Sequence, residues 1–323
     1  MENQGIFISN MGKIVALCIS DRKGVQKHEI PEADFIANFG MHGDAHAGTW
    51  HRQVSFLDKE KIDEFKAKGA EITNGAFGEN IILQDINISS LRVGDRLQCG
   101  EVVFEITQLG KECHDHCAIY YKMGECIMPR LGIFAKVLTA GHIKKGDDIE
   151  IIERNEPFPF QAAVITLSDA GFRGEREDVS GPTIVKRLKD EGYEVVEQIL
   201  LPDEPKLLKK ELMRLADQRQ VDLILTTGGT GFSKRDSTPE ATLEVMDRNA
   251  PGIAEAIRAE SLKVTKHAML CRGVSVIRKK TLIINLPGSP KACLESMDVF
   301  MGAMPHAIGL LRDEVSNCAR KDK

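Results

Sequence analysis

Residues 221–242 read VDLILTTGGTGFSKRDSTPEAT, and this stretch decides the fold of its part of the chain. The run VDLILTT has the continuous apolar character of a strand that is buried on both faces of a parallel sheet. The three glycines around a threonine that follow let the backbone approach an anion, and their N–H groups can form a phosphate nest. Thr238 and Pro239 predict the N-cap and first residue of a helix whose positive end faces this loop.

The same alternation of strand and helix continues on both sides of this stretch. AAVITL, YEVVEQILL and two runs in VSVIRKKTLIINL predict further strands, and apolar residues at helical spacing predict helices over 184–191 and 208–216. Ser289 and Pro290 predict another N-cap and helix start. The order predicts a doubly wound α/β domain with a mostly parallel sheet, whose ligands bind outside the carboxyl ends of the strands.

The glycine-rich loop has a second interpretation, because a tight packing turn also explains GGTG after a strand. It is not a P-loop, since the spacing GxxxxGK[ST] is absent and Lys234 falls in the wrong place. Asp203 ends one predicted strand and Asp236 lies in the extension of the loop. Carboxylates beside a phosphate nest would repel the ligand without a cation, so Mg²⁺ is the natural inference. The structural alternatives are a helix cap for Asp203 and a turn residue for Asp236.

Four segments in order carry a family resemblance: SD…G…D.SG, TTGGTG, RDSTPEAT and NLPGSPKA. They resemble the MogA/MoaB family of molybdopterin adenylyltransferases, to which the G domains of gephyrin also belong. The resemblance covers about 150 residues. It implies a parallel α/β fold, a homotrimer, and transfer of AMP from ATP to the molybdopterin phosphate with Mg²⁺.

The resemblance also assigns site residues. Asp203 and Asp236 match the family's two essential aspartates, and Asp236 is expected to orient the magnesium ion. The residues expected to bind the substrates are Ser168, Asp169, Thr227, Gly228, Gly229, Thr230, Gly231, Pro287, Gly288 and Ser289.

The first half of the chain differs in rhythm. Short β-like runs such as KIVALCI, RQVSFL, EVVFEIT and IFAKVL are separated by Gly and Asp turns, and one helix is expected over about 59–68, ended by Gly69. Many short strands predict a β-rich, barrel-like domain. We place this domain at 1–153, a proline-containing linker at 154–161 (RNEPFPFQ), and the α/β domain at 162–323.

A cluster of sulfur and imidazole groups follows the strand VVFEIT. Its ligand types would suit zinc, although no second CxxC or HxxxH pair completes a structural site. Alternatively, a cysteine beside Lys111 and two histidines has a depressed pKa and carries a thiolate or persulfide, or it is a free thiol without redox chemistry. The cluster comprises Cys113, His114, His116, Cys117 and, further on, Cys126.

This half also carries a resemblance. GMHGDAHAGTWHRQVSFL, GAFGENI, VGDRL and EITQLGKEC are similar, in order, to the segments of MOSC domains, which are sulfur-carrier modules. The resemblance implies that this domain binds the molybdenum cofactor or carries sulfur on Cys113. The usual proline before the cysteine is replaced by Glu112, so Cys117 and Cys126 stay alternatives. The other matching positions are Asp44, His46, Arg52, Glu79 and Asn80.

Composition and net charge argue against some classes of function. The net charge of −5 gives no general electrostatic case for nucleic acid. No run of about 18 apolar residues predicts a membrane span, and eight cysteines without a secretory start predict reduced thiols in the cytoplasm. A cysteine desulfurase and a molybdenum-insertion protein are the expected partners. A non-catalytic pterin-binding scaffold and a nucleotide hydrolase or deamidase relative are the alternative functions.

Overall fold

The computed structural model describes residues 10–111 and 118–314. The chain forms two compact units, which divide between Phe158 and Pro159. Gln161, which the sequence analysis assigns to the linker, is instead the first residue of a strand in the second unit.

The first unit is built mainly from strands. The described strands are β1 (Met11–Ile19), β2 (His28–Ile30), β3 (Glu32–Ile36), β4 (Gly40–Met41), β5 (Val54–Asp58), β6 (Ile81–Gln84), β7 (Arg96–Cys99), β8 (Val102–Leu109), β9 (Ile133–Thr139), β10 (Gly141–Lys144) and β11 (Asp148–Ile152), and the helices are α1 (Lys59–Ala67), α2 (Ala118–Met123) and α3 (Met128–Leu131). Ile88–Ser90 forms a 3₁₀ turn.

Seven of these described strands close into a barrel. Their order is β11-β7-β8-β9-β5-β6-β1, and β1 pairs back onto β11 through Met11↔Glu150, so the ring has no free edge. Phe104 lies at the centre of the barrel core, with its ring 5.3 Å from that of Phe35 and 5.2 Å from that of Phe56. The predicted β-barrel is therefore confirmed. Helix α1 ends where expected, at a Gly69 with φ of +94°.

The second unit alternates strands and helices. The described strands are β12 (Gln161–Leu167), β13 (Glu194–Leu201), β14 (Leu223–Thr227), β15 (Arg248–Asn249), β16 (Ser275–Arg278) and β17 (Thr281–Leu286), and the helices are α4 (Asp169–Phe172), α5 (Ser180–Asp190), α6 (Pro205–Asp217), α7 (Thr238–Glu244), α8 (Pro251–Val264), α9 (Pro290–Phe300) and α10 (Met304–Arg312). Lys266–Leu270 and Met301–Ala303 are 3₁₀ turns.

The six described strands form one sheet in the order β13-β12-β14-β17-β16-β15. The pairings β13–β12, β12–β14 and β14–β17 are parallel, whereas β16 and β15 extend the sheet in antiparallel fashion. Alternate residues of β12 face two cores: Val164 packs with α5, α9 and α10, and Ile165 packs with α6 and α7. Helices thus cover both faces, and the mainly parallel α/β sheet is confirmed.

Two helix starts were predicted at the carboxyl edge of this sheet. Ser289 is the N-cap of α9 with Pro290 at the helix start, as predicted. The N-cap of α7 is Ser237, so the prediction of Thr238 was wrong by one position. The hydroxyl of Thr238 donates instead to the carbonyl oxygen of Gly228 at 3.0 Å, which ties the helix start to the glycine-rich loop.

Candidate active site

Three loops of the second unit meet at the carboxyl ends of β12, β14 and β17. The hydroxyl of Thr227 donates to the carbonyl oxygen of Pro287 at 2.6 Å, and the hydroxyl of Ser180 donates to that of Gly288 at 2.8 Å. A Cβ added to Gly288 would lie 3.7 Å from the Cα of Gly228. The structure therefore brings the predicted Thr227 and Pro287–Gly288 segments together.

The three glycines of the TTGGTG segment are required by their surroundings. Gly228 and Gly229 have φ of +96° and +63°, in the left-handed region that glycine favours. An added Cβ would lie 2.3 Å from the carbonyl oxygen of Leu167 at Gly228, and 2.4 Å from the hydroxyl of Thr238 at Gly229. At Gly231 it would lie 2.9 Å from the Asp236 carboxylate. The glycines allow close packing, which supports the interpretation of this segment as a tight packing turn.

The same loop also presents hydrogen-bond donors. Within the described chain, the N–H groups of Gly229, Thr230 and Gly231 have no protein acceptor. A row of free peptide N–H groups beside a helix start is the arrangement that binds phosphate. The loop is thus a packing turn whose unpaired N–H groups have the arrangement expected of a phosphate nest.

Asp203 does not cap the helix that follows it. The N-cap of α6 is Glu204, whereas the Asp203 carboxylate accepts a hydrogen bond from the N–H of Asp169 at 2.9 Å. The Asp169 carboxylate in turn accepts from the N–H of Asp203 at 3.0 Å. This reciprocal pair holds two strand-end loops together and leaves Asp203 Oδ1 3.4 Å from where a Cβ of Gly229 would lie. The helix-cap alternative for Asp203 is therefore wrong.

Asp236 lies on the other side of the glycine-rich loop. Its carboxylate accepts from the N–H of Ser233 at 2.8 Å, and its own N–H donates to the carbonyl oxygen of Ser233 at 3.0 Å. Asp236 is therefore a turn residue, as the structural alternative had it. Its carboxylate nevertheless also faces Gly231, at the edge of the nest.

Arg235 pairs with two acidic residues beside these aspartates, Asp169 and Glu204. Its guanidinium donates to both carboxylate oxygens of Asp169, at 2.9 and 3.0 Å, and to Glu204 at 3.0 Å. The arginine lowers the pKa of Asp169. Burial, together with the charges of Asp169 and Asp236, raises the pKa of Asp203 although Arg235 opposes the shift. The site therefore holds more negative charge than its arginine balances.

A second arginine, Arg272, organises the glycine-rich loop. Its Nε donates to the carbonyl oxygen of Gly231 at 2.7 Å, and its Nη2 to that of Asp236 at 2.6 Å. Its own N–H donates to the carbonyl oxygen of Thr230 at 2.9 Å, and its Nη1 pairs with Glu240. Arg272 thus binds both arms of the loop.

The first unit contains a buried ion pair near one mouth of its barrel. Lys27 Nζ lies 2.6 Å from Asp44 Oδ2, and both side chains are almost fully withdrawn from solvent. The N–H of His46 donates to Asp44 Oδ1 at 2.8 Å. Although burial alone would raise it, the hydrogen bonds from His46 and Lys27 hold the pKa of Asp44 below its usual range. Asp44 is an internal brace here.

Glu79 and Asn80 are likewise buried braces. Glu79 accepts from the N–H groups of Gly75 at 2.7 Å and Phe77 at 3.0 Å, and its burial raises the pKa of its carboxyl. Asn80 accepts from Ser55 and donates to the carbonyl oxygen of Cys18 at 3.2 Å. Both side chains fix the chain around the barrel mouth.

Basic and aromatic side chains surround this mouth. The guanidinium of Arg52 lies 4.7 Å from the ring centroid of Trp50 and 5.6 Å from that of Phe134. Lys23 Nζ lies 6.0 Å from the Trp50 ring, and Lys111 Nζ lies 6.0 Å from the Phe134 ring. Lys111 is the last described residue before the segment that contains Cys113.

Comparison with known proteins bears on both units. Residues 163–306 match the family described as "Probable molybdopterin binding domain", and residues 43–150 match the MOSC domain. A molybdopterin adenylyltransferase of Helicobacter pylori strain J99 is 40% identical over 150 residues, covering 46% of this chain and 85% of that protein. The chain belongs to the molybdopterin adenylyltransferase family. The prediction of a MOSC domain joined to a domain of this family is confirmed.

Other relatives match the same half of the chain. The molybdopterin adenylyltransferase of Escherichia coli K12 is 41% identical over 138 residues, which are 42% of this chain and 70% of that protein. The molybdenum cofactor synthesis protein cinnamon of Drosophila melanogaster is 41% identical over 155 residues, so the matching region spans 26% of its length. A solved structure of the biosynthesis enzyme MoaB from Thermus thermophilus covers 48% of this chain and 97% of its own at 47% identity, with a TM-score of 0.46.

Membership of this family confirms the predicted role in molybdenum cofactor biosynthesis and the predicted transferase class. Of the three candidate sulfur carriers, the structure describes only Cys126. Cys113 and Cys117 lie outside the described residues, as do His114 and His116, while Cys126 is half-buried. Within residues 10–111 and 118–314, no three His, Cys, Asp or Glu side chains are placed to hold a metal ion. No described helix is long and apolar enough to span a membrane.

Sequence reasoning did not single out three charged residues that organise these regions: Lys27, Arg235 and Arg272. Their partners are distant in sequence, and Lys27 and Arg272 belong to no quoted motif. Arg235 directly precedes Asp236 in the quoted RDSTPEAT segment, and that adjacency was the one available signal.

Proposed function

We propose that the second unit transfers the adenylyl group of ATP to the terminal phosphate of molybdopterin and releases pyrophosphate. The family and the named activity of its relatives support this reaction class. The single observation that carries the proposal is the row of free N–H groups at Gly229–Gly231, flanked by Asp203 and Asp236.

The reaction asks the protein mainly for positioning and charge neutralisation. An oxygen of the molybdopterin phosphate attacks the α-phosphorus of ATP, a new P–O bond forms, and the bond to the bridging oxygen of pyrophosphate breaks with its electrons. In this proposal the N–H groups of Gly229, Thr230 and Gly231 hold phosphate oxygens. The loops of Ser168–Asp169 and Pro287–Ser289 line the remainder of the pocket.

The donor set fits Mg²⁺ in its chemistry. Asp236 and Asp203 offer carboxylate oxygens, the ligands that magnesium prefers, and the raised pKa of Asp203 indicates that negative charge there lacks a full counter-charge. Because the described side chains form no three-ligand cluster, the ion would be held jointly by these aspartates and the phosphate oxygens of ATP. Bound there, Mg²⁺ supplies charge neutralisation for the phosphates.

The test is ATP-dependent adenylylation of molybdopterin by wild type and by Asp236→Asn. We expect kcat/KM to fall by about 100-fold, because a ligand that would hold the charge-neutralising Mg²⁺ is removed. Asp247→Asn is the matched control, since Asp247 also accepts a peptide hydrogen bond, from Lys279 at 2.6 Å, away from the loop. Unchanged activity in Asp236→Asn would remove this residue from the mechanism.

The same assay separates the alternative functions. Rapid ATP hydrolysis without molybdopterin would favour a nucleotide hydrolase. Tight pterin binding without any turnover would favour a scaffold. The homotrimer implied by the resemblance is part of the proposal, and a mass measurement in solution tests it.

For the first unit we propose that it binds the molybdenum cofactor or carries sulfur for it, with Cys113 as the functional thiol. The positive surface of Arg52, Lys23 and Lys111 beside that segment supports an anionic ligand. In this proposal the contacts of Asp44 with His46 and Lys27 support the residues that form this surface.

Persulfide labelling after incubation with a cysteine desulfurase and cysteine tests the thiol. We expect the label in wild type, Cys117→Ser and Cys126→Ser, and its loss in Cys113→Ser. A persulfide that survives in Cys113→Ser rules Cys113 out and leaves the two alternatives to be separated by the same series. Co-purification with a desulfurase or a molybdenum-insertion protein tests the expected partners.

A further inference from the structure

We propose that Arg272 is the positioning residue of the glycine-rich loop: its guanidinium holds the arm of Gly231 and the arm of Asp236 in one relative position, through their carbonyl groups and without touching the substrate. This inference rests on the proposed function, because it concerns the same anion site. Its basis is that the guanidinium binds the carbonyl oxygens of Gly231 and Asp236, one on each arm of the loop, while the backbone N–H of Arg272 binds that of Thr230.

The direction of each peptide group follows from those contacts. In a trans peptide the C=O and the N–H of the same plane point in opposite directions. The carbonyl of Thr230 accepts from the backbone N–H of Arg272, so the N–H of Gly231 points away from residue 272, and this contact does not depend on the arginine side chain. The carbonyls of Gly231 and Asp236 point to the guanidinium, so the N–H groups of Phe232 and Ser237 also point away.

Arginine suits this task and lysine does not. The guanidinium presents five N–H groups in a rigid plane, so it can bind two carbonyls and one carboxylate at fixed angles. An ammonium group on a flexible stem would satisfy one carbonyl and leave the other free to rotate. Arg272 therefore fixes the arm that carries Gly231 and the arm that carries Asp236 in one relative position.

Arg272 is itself held from behind. The carbonyl oxygen of Gly273 accepts from Arg258 Nη1 at 2.7 Å, and a Cβ added to Gly273 would lie 3.1 Å from the carbonyl oxygen of Asn285. This close approach to β17 leaves little freedom for the segment that presents the guanidinium.

The ion pair between Arg272 and Glu240 is the competing explanation for this residue. Glu240 is about half exposed, and an exposed ion pair contributes little to stability. If the pair were the purpose of Arg272, neutralising Glu240 would reproduce the effect of losing the arginine. If the carbonyl contacts are its purpose, Glu240→Gln leaves the loop intact.

The experiment compares Arg272→Ala, Arg272→Lys and Glu240→Gln with wild type in molybdopterin adenylylation and in binding of inorganic pyrophosphate. We expect Arg272→Ala to lose about 100-fold in kcat/KM and to bind pyrophosphate weakly. Arg272→Lys recovers little, whereas added methylguanidine partly restores Arg272→Ala and has no effect on Arg272→Lys. Glu240→Gln stays close to wild type.

Arg278→Ala controls for general destabilisation. Arg278 also binds a carboxylate, Asp217, and a carbonyl oxygen, that of Val245 at 2.8 Å, but these do not belong to the glycine-rich loop. We expect this variant to lower the unfolding midpoint and to leave kcat/KM of the folded fraction unchanged.

The proposal is overturned if Arg272→Ala keeps wild-type kcat/KM, if Glu240→Gln is equally damaging, or if activity falls merely in proportion to unfolded protein. Its failure is distinguishable from failure of the proposed reaction. A wild type that binds pyrophosphate but never adenylylates molybdopterin disproves the reaction. Loss of pyrophosphate binding in Arg272→Ala would still support the role of Arg272 in positioning the loop.

Discussion

Asp44 in the first unit is a buried carboxylate and Asp203 in the second is a half-buried one, and their pKa values move in opposite directions. At Asp44, burial is outweighed by the hydrogen bonds of His46 and the charge of Lys27, so the pKa falls. At Asp203, burial is reinforced by Asp169 and Asp236, so the pKa rises.

The difference separates a structural carboxylate from one that lacks a counter-charge. Asp44 has its cation inside the protein at 2.6 Å and needs nothing more. Asp203 has peptide hydrogen bonds and a distant, exposed arginine, which leave its charge incompletely balanced. A carboxylate held in that state at a strand end is typical of a functional site.

The largest expected effect concerns Asp44, the structural carboxylate of this comparison. Asp44→Asn leaves the buried ammonium of Lys27 without a counter-charge, and we expect the first unit to lose about 3–5 kcal/mol of unfolding free energy. Trp50, the one tryptophan of the chain, lies in this unit, so its fluorescence in a urea titration reports the loss. Asp148→Asn, which breaks the exposed pair with Lys13, is the control and should cost under about 1 kcal/mol.

The double variant Lys27→Met/Asp44→Leu sharpens this prediction. It removes both charges, so it should be more stable than Asp44→Asn alone. Equal stability of Asp44→Asn and wild type would show that the pair is not the brace described here.

The second prediction concerns Asp203, the carboxylate of the proposed active site. Asp203→Asn keeps an oxygen to accept from Asp169 but removes the unbalanced charge, so we expect adenylylation to fall by about 100-fold. Because a raised carboxyl pKa means that the charged form costs stability at neutral pH, the unfolding free energy of the second unit should stay equal or increase. A loss of stability comparable with that of Asp44→Asn would instead make Asp203 a brace.

Sequence reasoning reached the functional loop because its residues are consecutive. TTGGTG needs left-handed backbone at Gly228 and Gly229, which glycine favours, and a Cβ at either position would clash with its surroundings. It missed Lys27 and Arg272, whose partners are brought to them by tertiary packing. It also misplaced the α7 N-cap at Thr238, because the hydroxyl there binds the loop carbonyl of Gly228 in preference to a helix N–H.

The smallest expected effect extends the comparison to a third carboxylate, Asp58, at the end of β5. Burial, followed by the charge of Glu60, raises the pKa of Asp58 to about 7. Its Oδ1 is buried and has no hydrogen-bond partner among the described residues, and its side chain makes no cap hydrogen bond to α1. Asp58 thus resembles Asp203 in lacking compensation, but no loop of the proposed active site surrounds it.

The sign of its pH dependence follows from that shift. The folded state binds the Asp58 proton more tightly than the unfolded state, whose value is near 3.8. The contribution of Asp58 is therefore most favourable below about pH 4 and is lost as the pH rises to about 7. Asp58→Asn should remove this slope and, at pH 8, stabilise the first unit by about 1–2 kcal/mol, allowing for the partial exposure of the side chain.

Urea titrations of Asp58→Asn and wild type at several pH values between about 4 and 8 test this. Asparagine is as good an N-cap as aspartate, so the helix start itself is not weakened. Asp63→Asn, on the exposed face of the same helix, is the matched control and should keep the wild-type slope. If Asp58→Asn also keeps that slope, Asp58 is ionised at little cost, and a missing counter-charge alone does not explain the raised pKa of Asp203.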